Sequence, residues 1–137
     1  MQILKGSGKR AYTGKLIVLI DSESASAAEI FARIVQLEGR GIVLGDLSSG
    51  QVMQSRVFPH FYGLDNRIGY AFSITVADLT MRDGRRIEKI GVTPDERILS
   101  TPLDLANKRD PVLSRAAELL GFKLTSDEAG KIFATKK

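Results

Sequence analysis

The most constraining feature of this sequence is a run of five apolar residues, Leu16-Ile17-Val18-Leu19-Ile20, that stops at Asp21 and gives way to a helical pattern from Ala27. A continuous run of β-branched residues and leucine has no polar side to show to water, so it predicts a strand buried on both faces in a largely parallel sheet. Polar residues then crowd the stretch Asp21-Ser22-Glu23-Ser24-Ala25-Ser26. Beyond it Ala27, Ile30, Phe31, Ile34 and Val35 fall on one stripe of a helix, with Glu29, Arg33 and Gln36 opposite and Glu29 to Arg33 at i,i+4 spacing. Gly39 and Gly41 end that helix, and Gly41 to Gly45 reads as a second short apolar strand. The order strand, turn, helix, strand defines an α/β fold.

The remainder of the chain alternates less cleanly. Gln51 to Phe58 reads as one strand in a loop-rich segment, and Tyr70, Phe72, Ile74, Val76 and Leu79 mark a longer one. Asp83-Gly84 is a hairpin signal that returns the chain as a strand through Arg85 to Ile90, and Gly91 to Asp95 makes a rigid turn. From Pro102 the pattern is helical, most clearly Pro111 to Leu120, opened by proline and stopped by Gly121, with a last helix from Ser126. The expected organisation is a leader over residues 1–14, a core over 15–100 and a helical extension of the same domain over 101–137.

With 137 residues, 43% of them hydrophobic, the chain buries enough surface for one core without a staple. It has no cysteine, which excludes a thiol nucleophile, disulfides and cysteine-ligated metals, and a single histidine, His60, which excludes an imidazole-rich metal centre. No metal or organic cofactor is implied. Of the 20 Lys and Arg, four precede the first acid, so the body is charge-balanced and offers no nucleic-acid surface. No apolar run approaches the ~20 residues that span a bilayer. The Gly8-Lys9 pair lacks the spacing and the hydroxyl of a phosphate loop. The lack of cysteine is compatible with either side of a bacterial inner membrane and decides no compartment.

Ser26 lies where a buried strand has ended and an amphipathic helix begins. That place offers a hydroxyl exposure at the carboxyl edge of a sheet and unpaired backbone N–H groups, Ala27 first among them, for an oxyanion. It equally suits a serine that only caps the helix.

The segment Asp21 to Phe31, followed by Gly39-Arg40 to Gly45 and Ser49-Gly50, resembles the catalytic region of the tail-specific (C-terminal processing) serine proteases and their tricorn-like relatives. Ile87-Glu88-Lys89-Ile90-Gly91-Val92-Thr93-Pro94-Asp95 resembles the closing segment of the same family, and Arg109 to Leu113 is also typical. The resemblance implies a Clp-protease/crotonase-like α/β core, with Ser26 as nucleophile, the Ala27 N–H as one arm of the oxyanion hole and Glu88 as the carboxylate of a Ser/His/Glu site. It implies a peptide or unfolded protein as substrate and admits a homo-oligomer. Where one branch of the family has a dyad lysine, this chain has Gln51, whose amide does not titrate, so a Ser–Lys site is not expected. The upstream histidine and glycine-rich oxyanion segment of the family find no counterpart before Tyr12, so the chain reads as the C-terminal part of a catalytic domain, inactive alone. His60, in an aromatic setting, is the alternative base and more naturally a packing residue. The rival reading is a non-catalytic peptide-binding or assembly module.

Overall fold

The computed structural model describes residues 11–63 and 68–133, together with Gly8. Most of the expected leader, and the Asp65-Asn66 pair read as loop, lie outside the described residues. The apolar run forms β1 (Ile17–Ile20), and the second run forms β2 (Ile42–Gly45); they pair in parallel from Ile17 opposite Ile42 to Ile20 opposite Gly45. The helix between them, α1 (Ala27–Leu37), begins at the residue where the periodicity changes. A third parallel strand, β5 (Glu96–Arg97), adds to β2 through Leu44 opposite Glu96, giving the sheet order β1-β2-β5. Two residues carry no periodicity, so β5 was not legible. Val43 N–H also donates to Asp95 Oδ2 at 2.8 Å, which fixes the approach of that strand.

The core joins the sheet, α1 and two loops: Ile20, Val43, Ala32, Val35, Val52, Ile87 and Val92 are buried together. Two expectations change here. Among the described residues β1 lies at the edge of the sheet, and Leu19 on it is 42% exposed, so it is not covered on both faces. The apolar stripe of α1 is also rotated from the expected one, because Phe31 and Ile34 are exposed while Ala32 and Glu29 are fully buried.

Between Val52 and Leu79 the chain forms a two-stranded antiparallel ribbon, β3 (Gln54–Tyr62) with β4 (Ile68–Ala77). The expected partner of β4, a strand over Arg85 to Ile90, does not form. Thr80 and Arg86 make a single antiparallel bridge around Asp83-Gly84, and the chain then winds into turns, with Ile90 and Gly91 N–H both donating to Ile87 O. β3 runs on through Pro59, tolerated because each strand of a two-stranded ribbon has a free edge.

Three short helices complete the fold. α2 (Pro102–Ala106) is capped by Thr101, α3 (Pro111–Leu120) by Asp110 and by Gly121 in the left-handed conformation, and α4 (Ser126–Ile132) by Thr125. α3 packs on α4 and on β1 and β2. Among the described residues, no helix is long and apolar enough to cross a membrane.

Candidate active site

The turn from β1 into α1 presents Ser26, exposed, in an unusual backbone conformation, φ 57° and ψ −121°. A non-glycine residue there stores about 1–3 kcal/mol of strain and persists only where its surroundings over-determine it. They do: Ser26 N–H donates to Gln51 O at 2.9 Å and to Glu29 Oε2 at 3.1 Å, and Ser26 O accepts from Glu29 N–H and Ile30 N–H. The hydroxyl lies beside the Glu29 N–H in capping-box fashion but makes no capping hydrogen bond of ordinary geometry. Ser26 thus shares a capping box with Glu29 while remaining exposed at the head of the helix. Ala27 N–H, at the head of α1, belongs to the first-turn groups that have no intrahelical acceptor.

Glu29 organises this corner, and the sequence reading missed it by placing it on the solvent face beside Arg33. Its side chain is fully buried. Oε1 accepts from Ser48 Oγ at 2.5 Å and Gly50 N–H at 2.7 Å, while Oε2 accepts from Gln51 N–H at 2.9 Å and from Ser26 N–H. Four donors on two oxygens match an ionised carboxylate, which only accepts. Ser48 Oγ in turn accepts from Val92 N–H at 2.6 Å, so the network extends to the closing loop. Arg33, the expected partner of Glu29, pairs instead with Asp83 and donates to Gln36.

The loop after Ile87 brings the second candidate in. Glu88 Oε2 accepts from Val52 N–H at 2.8 Å, which places its carboxylate next to the Gln51 peptide and hence one residue from the group that holds Ser26. The two loops meet closely: Lys89 N–H donates to Gly50 O at 2.7 Å, and a Cβ on Gly91 (φ +78°) would stand 2.5 Å from Ser48 O. Glu88 thus sits on a wound turn, not on the return strand expected for it. Gln51 stands beside Ser26 by its backbone, with its side chain exposed.

His60 belongs to the ribbon, where its ring stacks on Tyr70 at 5.6 Å between centroids and meets Phe72 edge-on at 5.7 Å. Among the described residues it makes no hydrogen bond to Ser26 or Glu88. A cavity of about 880 Å³ opens at the end of β1, between Asp21 and Ser24 on one side and Leu105, Val112 and Phe133 on the other. No cluster of three or more His, Asp and Glu able to hold a metal occurs among the described residues.

A parallel sheet whose first strand leads through a strained serine into a helix, with two acidic side chains binding the surrounding loops, defines an α/β protein. Residues 2–98 match the family described as Peptidase family S41, and the chain belongs to that family. A tail-specific protease of Haemophilus influenzae is 36% identical over 86 residues, 61% of this chain and 12% of that protein. A carboxyl-terminal-processing protease of a Picosynechococcus species is 29% identical over 117 residues, 83% of this chain and 26% of its own. The structure of the tricorn protease superposes with a TM-score of 0.66 over 88% of this chain and 12% of its own at 22% identity, a likeness of fold. The chain therefore spans about a quarter or less of the curated relatives it matches.

Proposed function

We propose that this chain carries the nucleophile-bearing part of a serine endopeptidase of Clp-protease/crotonase-like fold, acting on peptides or unfolded proteins. In this reading residues 15–100 form the catalytic core segment and 101–137 its helical extension. The observation that carries it is Ser26: a strained turn holds its N–H between two acceptors and keeps the residue exposed beside the Ala27 N–H at the head of α1. Ser26 Oγ attacks the scissile carbonyl carbon, and its proton passes to a base. The new C–O⁻ faces the Ala27 N–H at the head of α1. Collapse of the intermediate breaks the C–N bond, the amine leaves with the proton, and water then hydrolyses the acyl ester. Glu88, with one oxygen fixed by Val52 N–H, keeps its other oxygen for orienting an imidazole. His60 is committed to the aromatic face of the ribbon, and the dyad-lysine position is Gln51, so the base is an imidazole from outside the described residues.

Gln51 favours a second reading, a binding or assembly module that has kept the fold and lost the chemistry. One experiment separates the two. A fluorophosphonate should label the intact protein that carries this chain, and Ser26→Ala should abolish the label; labelling that survives the substitution refutes the assignment, and a folded protein that never labels supports the module.

A further inference from the structure

The segment from Ser48 to Val52 lies between the two candidate groups and is bonded to both. Toward the nucleophile, Ser49 N–H donates to Ser24 O at 2.9 Å, Gln51 O accepts from Ser26 N–H, and Glu29 gathers Ser48 Oγ, Gly50 N–H and Gln51 N–H. Toward the acid, Ser48 N–H donates to Val92 O at 3.2 Å, Val92 N–H donates to Ser48 Oγ, Gly50 O accepts from Lys89 N–H, and Val52 N–H donates to Glu88. The two backbones meet without slack, since a Cβ on Gly50 would stand 3.0 Å from Gly91 N and one on Gly91 still nearer to Ser48 O. This short segment therefore sets the separation of Ser26 and Glu88.

Within it, the Ser48 hydroxyl serves both sides at once. The residue is buried, and Val92 N–H can only donate, so the hydroxyl accepts there and its own proton points to Glu29 Oε1. Both bonds are short, 2.6 Å and 2.5 Å, and the second ends on a carboxylate. A hydroxyl so committed is out of reach of a substrate; what it fixes is a distance.

Removing it would affect the two sides unequally. Glu29 keeps the N–H groups of Gly50, Gln51 and Ser26, whereas Val92 N–H loses the acceptor that holds it. An orphaned buried amide is costly, so the chain there is driven to shift toward another acceptor. Glu88 lies in the turn that leads to Val92, and that turn is closed on itself by Ile90 and Gly91 N–H on Ile87 O, so it moves as a unit. Ile87 and Val92 are buried in the core beside Val52, which keeps the loop folded and leaves its fine placement to the hydrogen bonds.

From this we infer, on the serine-peptidase reading proposed above, that Ser48 is a positioning residue: its hydroxyl holds the Glu88 turn in register with the Ser26 corner and so sets where the carboxylate meets the imidazole. The second-order rate of fluorophosphonate labelling of the intact protein that carries this chain reads this without knowledge of the natural substrate. Ser48→Ala should slow labelling about 10- to 100-fold, the scale of a displacement of up to ~1 Å at a reacting group. In a Glu88→Gln background the same change should cost little, because the group that it positions is already gone. Ser48→Thr keeps the hydroxyl and should restore most of the rate. Melting curves establish that each variant is folded at the assay temperature, and if Ser48→Ala does not fold, Ser48→Cys, which keeps the size and weakens both hydrogen bonds, takes its place. Labelling of Ser48→Ala at the parental rate, an equal loss in both backgrounds, or a folded Ser48→Thr as slow as Ser48→Ala overturns the inference while leaving the peptidase reading intact. A parent protein that never labels removes that reading and the role of Ser48 with it.

Discussion

Replacing Glu29 by glutamine tests the organisation of the whole corner, because the change keeps size and shape and alters only which atoms accept. The amide can enter in two ways. With its NH₂ in place of Oε2 it confronts two N–H groups, those of Ser26 and Gln51, that can only donate. With its NH₂ in place of Oε1 the Ser48 hydroxyl can turn and accept, which leaves Gly50 N–H alone unpaired. The second arrangement is the cheaper. It costs about 1–3 kcal/mol for the orphaned buried N–H, and the remaining bonds lose the strength that charge gave them. A neutral amide escapes the cost of holding a full charge away from water, which offsets part of that loss. The net is about 2–4 kcal/mol, or a fall in Tm of about 6–12 °C for a chain of this length. Thermal unfolding followed by circular dichroism, with amide exchange read at Ser26, Gly50 and Gln51, measures both the global and the local effect. If Glu29→Gln melts within about 2 °C of the parent and those amides stay protected, the carboxylate does not hold the corner together.

Two further outcomes follow from the same structure. Ser26→Gly should raise stability by about 1 kcal/mol, because glycine adopts φ 57° without the strain that serine bears there; a lower Tm would show the turn to be unstrained. Acid should destabilise the fold through three carboxyls held below their ordinary values: Asp83 chiefly by its hydrogen bond from Arg33, Asp104 by the Thr101 hydroxyl and Glu128 by the Thr125 N–H. A folded-state value below the unfolded one gives stability that is fully present above about pH 4 and is lost as pH falls through the folded value. Tm should therefore be level down to about pH 5 and fall below pH 4, with a shallower fall in Asp83→Asn; an identical acid limb in that variant would remove Asp83 from the account.

The sheet and its crossover were legible because each boundary had a local cause: an apolar run for β1, a change of period at Ala27, and proline and glycine at the two ends of α3. Membership of the family was legible from three segments in order. Glu29 was not, although its signal was present. Ser26-x-x-Glu29 is the spacing of a capping box, in which the side chain three residues on reaches back to the cap, and the surface pairing with Arg33 was a competing use of the same residue. The ribbon was mispaired because Asp83-Gly84 is a strong local turn, whereas β3 and β4 are joined by a longer connection with no sharp signal. Local turn chemistry gave way to the register of two long aromatic strands.

The bonds that shape the Ser26 corner join parts of the chain far apart in sequence: Glu29 reaches Gln51 across 22 residues, Ser48 reaches Val92 across 44 and Val43 reaches Asp95 across 52. Contacts of that separation require loop closure before they return any stability. The geometry of the Ser26 corner therefore exists only once loops of 22 to 52 residues have closed. A nascent or damaged chain carries an ordinary serine at this position, and only the completed fold turns it into the exposed hydroxyl described above.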